Sequence, residues 1–358
     1  MDTLSRLIDL ARPQASLDLR CLFSGGFDVD HAPMEAGIAP FHLVLDGACV
    51  VETASGEQLE LRAGDFMLFP RGAAHRVRDI GRVGGGAAIT LSHDGMLPVR
   101  RNDGRDAERS HAVNEACPAA CNPARNPVGN GGNGGNGGNG GDTRDSSGEC
   151  DLGVDLDLLC GRFVYAPGSS ALLLDALPDP LHVSLGGVQT LGALQTVIML
   201  MRTEAERRQP GALAIVTALS LALFAMALRM HGERHASSPG VLALLADARL
   251  GASVQKMLSM PERAWTIAEL GEIAAMSRAT YARHFNERAG MTVMDFLTRI
   301  RMTIACDLLR RTQRSAAEIG ETVGYQSEAA FGKAFQQSVG VTPGRYRRQP
   351  HESDRNAR

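Results

Sequence analysis

The chain has 358 residues, 44% of them hydrophobic, with 40 acidic against 37 basic side chains and a formal net charge of −3. That length suits two domains of ordinary size with additional segments, and the apolar content sets aside a chain too polar to build cores. Seven cysteines without a secretory leader fit a reducing cytoplasm better than a disulfide-stapled secreted module.

The start, "MDTLSRLIDLARP", puts Leu4, Leu7 and Ile8 on one face, a short amphipathic helix with no secretory h-region. Residues 17–23, 41–45, 49–53, 59–61 and 66–69 then read as short strands, with Gly and Asp in "LDGAC" and "ASGEQ" marking turns. Within "AGDFMLFPRGAAHRV", Gly64, Pro70, Gly72 and His75 stand at the spacing of the second conserved motif of the cupin fold, which this stretch resembles. The resemblance implies a small double-sheet β-barrel with a ligand cavity. Many cupins hold a metal through two histidines, a carboxylate and the histidine of this motif. Here His42, Glu52 and His75 are present without a His-x-His pair, so no metal or other cofactor is expected and His75 reads as a structural or cavity-lining residue.

"NGGNGGNGGNGG" (130–141) has nothing to bury and loses much entropy on ordering, so a structureless stretch is expected from about 94 to 155. Its flanks, "RVGGGAAITLS" and "DLDLLCGRFVYAP", both look like sheet, which makes it an insertion within the first domain and not a linker between domains. Cys117 and Cys121 are spaced as half of a zinc site, but no second pair follows, and with Cys150 they read as incidental loop residues. Further on, "ALAIVTALSLALFAMALRM" (212–230) is apolar almost all round. It sits at the short limit for a membrane span, includes Thr217 and Ser220, and lacks a flanking cluster of positive charge. A buried core or dimer helix is the expectation, with no membrane.

The last hundred residues contain a repeat. Glu269-Leu270-Gly271-Glu272 recurs 49 positions later as Glu318-Ile319-Gly320-Glu321. With one residue added in the second turn, Ser277, Tyr281, Phe285, Gly290, Thr292 and Phe296 match Ser327, Phe331, Phe335, Gly340, Thr342 and Tyr346. In "GETVGYQSEAAFGKAF", Gly324 falls where a helix must stop with φ > 0 and Ser327 where the next needs an N-cap. Two helices folded over so few residues describe a helix-turn-helix, present twice, and residues 293–312 read as the longer helix between the copies. From Glu262 to Arg348 there are 13 Lys and Arg against 9 Asp and Glu. A basic surplus on an otherwise acidic chain is the footprint of phosphate contact.

"IAELGEIAAMSRATYARHFNERAG" and "AAEIGETVGYQSEAAFGKAFQQSVGVTPGRYRR" resemble the AraC/XylS family of bacterial transcription regulators. The resemblance implies seven helices, with recognition helices at 278–288 and 328–339 entering successive major-groove segments of double-stranded promoter DNA. The side chains then facing DNA are Arg278, Ala279, Ala282 and Arg283 in the first copy. In the second they are Gln326, Ser327, Glu328, Ala329, Ala330 and Lys333. The alanines leave much of the readout to thymine methyl contact and DNA shape, and Arg283 is the best single base reader, since a guanidinium pairs bidentately with guanine. "CGRFVYAPGSSALLLDALPDPLHV" and "MPERAWTIAEL" also look like the reactive-chlorine-responsive subgroup of this family. In that subgroup two cysteines serve as redox sensors, one on the first strand and one in a Cys-Gly pair, which here are Cys21 and Cys160. The alternative is that both are small buried hydrophobes.

The expectation is therefore an α+β chain: a cupin-like sensor domain over 1–185, a helical linker and dimerisation region over 186–235, and an all-α double helix-turn-helix over 245–350. Its function is that of a cytoplasmic, homodimeric transcription regulator, an activator or a repressor, working with RNA polymerase and responding to an oxidant or small-molecule effector. A metal-dependent cupin enzyme fused to a DNA-binding tail is the competing reading.

Overall fold

The computed structural model describes residues 2–81, 88–93, 97–102, 155–165, 168, 172–174, 176–184, 191–207, 209–234 and 239–349. The glycine-rich segment 130–141 and Cys117, Cys121 and Cys150 lie outside them.

Helix α1 (Thr3–Ala11) starts where the Asp2 carboxylate accepts from the Ser5 amide, and stops at Arg12 in the left-handed region. Among the described residues ten strands follow: β1 (Gln14–Phe23), β2 (Asp28–His31), β3 (Ile38–Thr53), β4 (Gln58–Arg62), β5 (Asp65–Leu68), β6 (His75–Arg78), β7 (Thr90–His93), β8 (Pro98–Arg101), β9 (Leu156–Val164) and β10 (Leu181–Ser184). They form one curled sheet in the order β10-β5-β3-β9-β1-β8-β7, with β4 and β6 also on β3 and β2 on β6.

Two expectations need correction. The strands expected at 41–45 and 49–53 are one strand of 16 residues, β3. "LDGAC" is a bulge and not a hairpin turn: the register against β9 shifts between Val44 and Asp46. Gly47 there has φ +80, and a Cβ on it would lie 1.9 Å from the Asp155 carbonyl oxygen. The bulge bends β3, so its first part pairs with β5 and β9 and its second with β4 and β6, which curls the sheet. The second correction concerns β8, which stands inside the stretch expected to lack structure. It runs parallel to β1, with Cys21 opposite Arg100, and the buried Asn102 accepts from the Ser24 amide at 2.7 Å.

Inside the curl lie Cys21, Phe23, Val44, Cys49, Met67 and Cys160. The outer face, with Phe41, Phe66 and Phe163, packs against helices α2 (Leu191–Arg207) and α3 (Ala212–Arg234). α3 is long and apolar enough to cross a membrane by length and composition. In the fold one side of it packs on the sheet, Phe224 against Phe163 at 4.8 Å between ring centroids. Leu213, Ile215 and Leu221 on the same helix are exposed.

The C-terminal half is helical: α4 (Val241–Ala246), α5 (Ala248–Ser259), α6 (Ile267–Ile273), α7 (Arg278–Ala289), α8 (Val293–Arg311), α9 (Ala316–Thr322), α10 (Glu328–Val339) and α11 (Pro343–Arg348). From α5 onward these are the seven helices the resemblance implies. The repeat is physical: α6 and α9 each open on a capping box, Thr266 with Glu269 and Ser315 with Glu318. Tyr281, Phe285 and Phe296 make ring contacts of 5.8 and 5.6 Å, and Phe331, Phe335 and Tyr346 contacts of 5.7 and 5.5 Å. α1 sits between the halves. Its Leu4, Ile8 and Ala11 join the cluster on the outer face of the sheet, while Leu7 and Leu10 are buried in the core of the first helix-turn-helix unit. Arg12 lies 3.5 Å from Asp307 on α8.

Candidate nucleic-acid interface and buried thiol–imidazole cluster

In each helix-turn-helix unit the second helix buries an aromatic stripe, and the stripe decides which side chains are free to meet a ligand. Tyr281 and Phe285 on α7, and Phe331 and Phe335 on α10, are fully buried. On the opposite faces Arg278, Ala279 and Arg283 are exposed and Ala282 is half-buried, while Gln326, Ser327, Glu328, Ala329, Ala330 and Lys333 are all exposed. Ser277 and Ser327 cap α7 and α10 by accepting from the Thr280 and Ala330 amides, so the Ser327 oxygen already has one partner. The Arg283 guanidinium lies 3.2 Å from the Glu287 carboxylate with both side chains largely exposed. Such a surface pair contributes at most about 1 kcal/mol and leaves the arginine available.

The second constellation lies inside the curled sheet. Cys21 on β1 faces Leu158 on β9, and Leu19 faces Cys160, so the two cysteines are diagonal neighbours on one face of an antiparallel ladder. The two thiols are therefore neighbours inside the curl. The Cys21 thiol first, and burial second, hold the Cys160 thiol well above its ordinary range, and Arg100 on β8 pulls the other way. Arg20, which follows the opposite face, is held by Asp157. The cation near the thiols is therefore Arg100. Cys49 on β3 is buried in the same cluster, where burial first and the neighbouring Asp65 and Cys21 second push its thiol up to about 12.

Three imidazoles adjoin the thiols. His42 Nδ1 is 3.2 Å from Cys160 Sγ, His42 Nε2 is 2.7 Å from His75 Nε2, and His75 Nδ1 is 2.9 Å from the Ala73 carbonyl oxygen. The proton positions follow from this order. The Ala73 oxygen can only accept, so His75 carries its proton on Nδ1 and presents a bare Nε2. His42 then donates Nε2–H to His75, which leaves its own Nδ1 to accept from the Cys160 thiol. His31 stacks on His75 at 4.7 Å, and Phe69 stacks on the other face of His75 at 3.8 Å. Burial lowers all three histidines, His31 to about 4 with further push from His75 and Arg100, and His42 well below its ordinary value. All three are neutral at pH 7. A pocket of about 270 Å³, lined by Asp30, His31, Glu52, His75 and Arg76 among others, opens beside them.

His31 and Arg100 were not among the residues singled out from sequence. Glu52, which was, faces Arg78 at 3.8 Å instead. The ligand atoms of His31, His42 and His75 lie within 4.8 Å of one another, a spacing at which a cupin metal has to be considered. Two nitrogens on one tetrahedral ion, each at about 2.0–2.1 Å, stand roughly 3.3 Å apart. The His42–His75 separation is shorter and holds a shared proton, and among the described residues no carboxylate joins the set. As arranged, these residues fit a hydrogen-bonded relay and not a metal cage.

The sequence model of a cupin family matches residues 2–233, and that of a helix-turn-helix domain matches residues 270–349. An uncharacterized HTH-type transcriptional regulator of Haemophilus influenzae is 28% identical, over 97% of this chain and 99% of its own length. The HTH-type transcriptional regulator MtrA of Neisseria gonorrhoeae is 28% identical, over 98% and 99%. RclR of Escherichia coli, named an RCS-specific HTH-type transcriptional activator, is 28% identical, over 97% of each chain.

Proposed function

The chain belongs to the cupin family, joined to an AraC-type helix-turn-helix domain in a DNA-binding transcription regulator, and from that premise we propose that the buried thiol–imidazole cluster is its sensor. The observation that carries this reading is the placement of Cys21 diagonal to Cys160 on one ladder, with Cys160 linked through His42 to His75 at the pocket mouth. A thiol held above its ordinary range offers almost no thiolate to a weak oxidant. The cluster therefore selects strongly electrophilic two-electron oxidants, a class consistent with the name of the E. coli relative. One sulfur takes the electrophilic atom of the oxidant, and the other displaces it as the reduced anion while closing the S–S bond. Two electrons go to the oxidant and the two thiol protons are released, His42 Nδ1 standing ready to accept and His75 to pass charge toward the pocket.

The signal has a short path to DNA. β1 follows α1 directly, and α1 is seated in the first helix-turn-helix unit through Leu7 and Leu10 and tied to α8 by Arg12 and Asp307. A shift of β1 against β9 therefore moves an element packed into the DNA-binding half. The experiment is mass spectrometry of oxidant-treated protein together with Cys21→Ser and Cys160→Ser regulators in a promoter assay. Both variants should lose the oxidant response. If both respond as the parent does, the thiols are not the sensor. The cavity of about 700 Å³ between the halves, lined by Leu59, Leu177, His182, His231 and Val241 among others, then becomes the place to look for a small effector.

The DNA-facing set is Arg278, Ala279, Ala282, Arg283, Gln326, Ser327, Glu328, Ala329, Ala330 and Lys333, with Arg283 reading guanine. Arg283→Ala should cost roughly 1–3 kcal/mol at one base position. A uniform loss over all operator variants would make it a phosphate contact instead. The working form is a cytoplasmic homodimer through α2 and α3, on which Met199 and Leu200, and Leu213 and Ile215, are exposed. Sedimentation equilibrium should show a dimer that Ile215→Glu converts to a monomer, and an unchanged mass for the variant would rule this face out.

A further inference from the structure

Two recognition helices read one face of DNA together only if their spacing is held before binding; otherwise association must order one unit against the other. The two units here have separate cores, one around Tyr281, Phe285 and Phe296, the other around Phe331, Phe335 and Tyr346, joined through α8. A shared helix alone leaves room to rock about its axis. A second fastening lies beside it.

Arg301, midway along α8, donates Nε–H to the Pro261 carbonyl at 2.8 Å and a terminal N–H to the Arg263 carbonyl at 3.0 Å. Its guanidinium also lies 5.7 Å from the centroid of the Tyr325 ring. The two carbonyls belong to the loop that leads into the first unit, and that loop is itself fastened to the first core. The Trp265 indole is buried in the first core and donates to the Met260 carbonyl. Arg263 stacks on it at 4.2 Å and bonds Glu269 of the first capping box. Tyr325 belongs to the turn of the second unit and meets Phe331 edge-on at 5.8 Å. Beside it Gly324 has φ +89, and a Cβ there would lie 2.4 Å from the Glu262 carbonyl oxygen and 2.9 Å from an Arg301 nitrogen. The turn of the second unit therefore rests directly on the entry loop of the first, with Arg301 bonded to one and packed on the other.

We propose that Arg301 is a positioning residue for DNA recognition: it clasps the 261–263 loop to the Gly324–Tyr325 turn and so sets the spacing of α7 and α10. Its guanidinium satisfies two carbonyls in a fixed fork while keeping a flat face for the tyrosine, which a lysine ammonium does not offer. It acts through the two units and not by touching a base.

The test uses the full chain with Arg301→Ala and Arg301→Lys. The probe is a duplex selected from random sequence by the wild-type protein and containing both bound major-groove segments. Companion duplexes carry one or two base pairs inserted between the segments, or have one segment scrambled. The wild type should lose about tenfold or more in affinity on a one-base-pair insertion. Arg301→Ala should lose about tenfold on the intact duplex, bind the scrambled duplexes as the wild type does, and discriminate little between intact and inserted spacings. Arg301→Lys should fall between. Retention of the wild-type spacing preference by Arg301→Ala would overturn the proposal. An equal loss on every duplex, accompanied by a lower melting temperature, would also overturn it by showing a purely structural role.

Discussion

Acidification from pH 6.5 to about 4 should destabilise the cupin half by several kcal/mol. His31, His42 and His75 are all held neutral, chiefly by burial, with His31 lowered to about 4, whereas an unfolded histidine titrates near 6.5. Between those values the unfolded chain binds protons that the folded chain refuses, so stability rises with pH across the window and is lost as pH falls through it. For His31 alone, a drop from 6.5 to about 4 corresponds to roughly 3 kcal/mol. His42 and His75 act in the same direction. Carboxylates do not account for this window: Asp65, lowered below its ordinary value although burial opposes the shift, loses its contribution only at more acid pH. Urea unfolding at pH 7, 5.5 and 4.5 should show the midpoint falling, and His31→Gln combined with His42→Gln should flatten the slope. A parent protein equally stable at pH 6.5 and 4.5 would mean that the imidazoles are hydrated and protonated in place. A relay through neutral His42 would then be untenable.

The repeated helix-turn-helix was legible because its determinants are local. The Ser327 cap, the left-handed Gly324 and aromatic residues four apart declare themselves within one turn of helix. In the first copy the position of Gly324 is taken by Ala275, which still adopts φ 54, so the turn geometry persists even where the residue that signals it does not. The sheet was less legible because its determinants are not local. Asp46-Gly47 has the composition of a hairpin turn and also that of a bulge, and only the partner strand β9 decides between them. His31 joins the cluster because β2 pairs with β6 and sets it opposite His75. Arg100 joins because β8 lies alongside β1. No period within "DVDHAPM" or "MLPVRRN" carries either fact. Cys21 and Cys160 could be singled out from sequence, but their coupling to His42 depends on β3 lying beside β9, with His42 opposite Cys160.

Asp157→Ala should destabilise the sensor half by about 3–5 kcal/mol. Arg20 Nε and a terminal nitrogen reach the two Asp157 oxygens at 2.8 and 2.6 Å, and both side chains are at most 6% exposed. Removing the carboxylate leaves a buried guanidinium with only Glu206 on α2, at 3.7 Å, as a weaker partner, which places the cost toward the lower end. The pair stands one residue from Cys21 on β1 and three from Cys160 on β9, on the opposite face of the same ladder. Its loss should loosen the strands that hold the thiols together. Two readouts separate this account from general damage. Asp157→Ala should lower the urea midpoint and speed labelling of Cys21 and Cys160 by a thiol reagent. The double variant Arg20→Met with Asp157→Leu should recover most of the stability, because an apolar pair of similar volume carries no desolvation penalty. A single variant within 1 kcal/mol of the parent would show that water or Glu206 satisfies Arg20 as well as Asp157 does. In that case the ladder beneath the thiols is held by its backbone pairing and apolar packing alone.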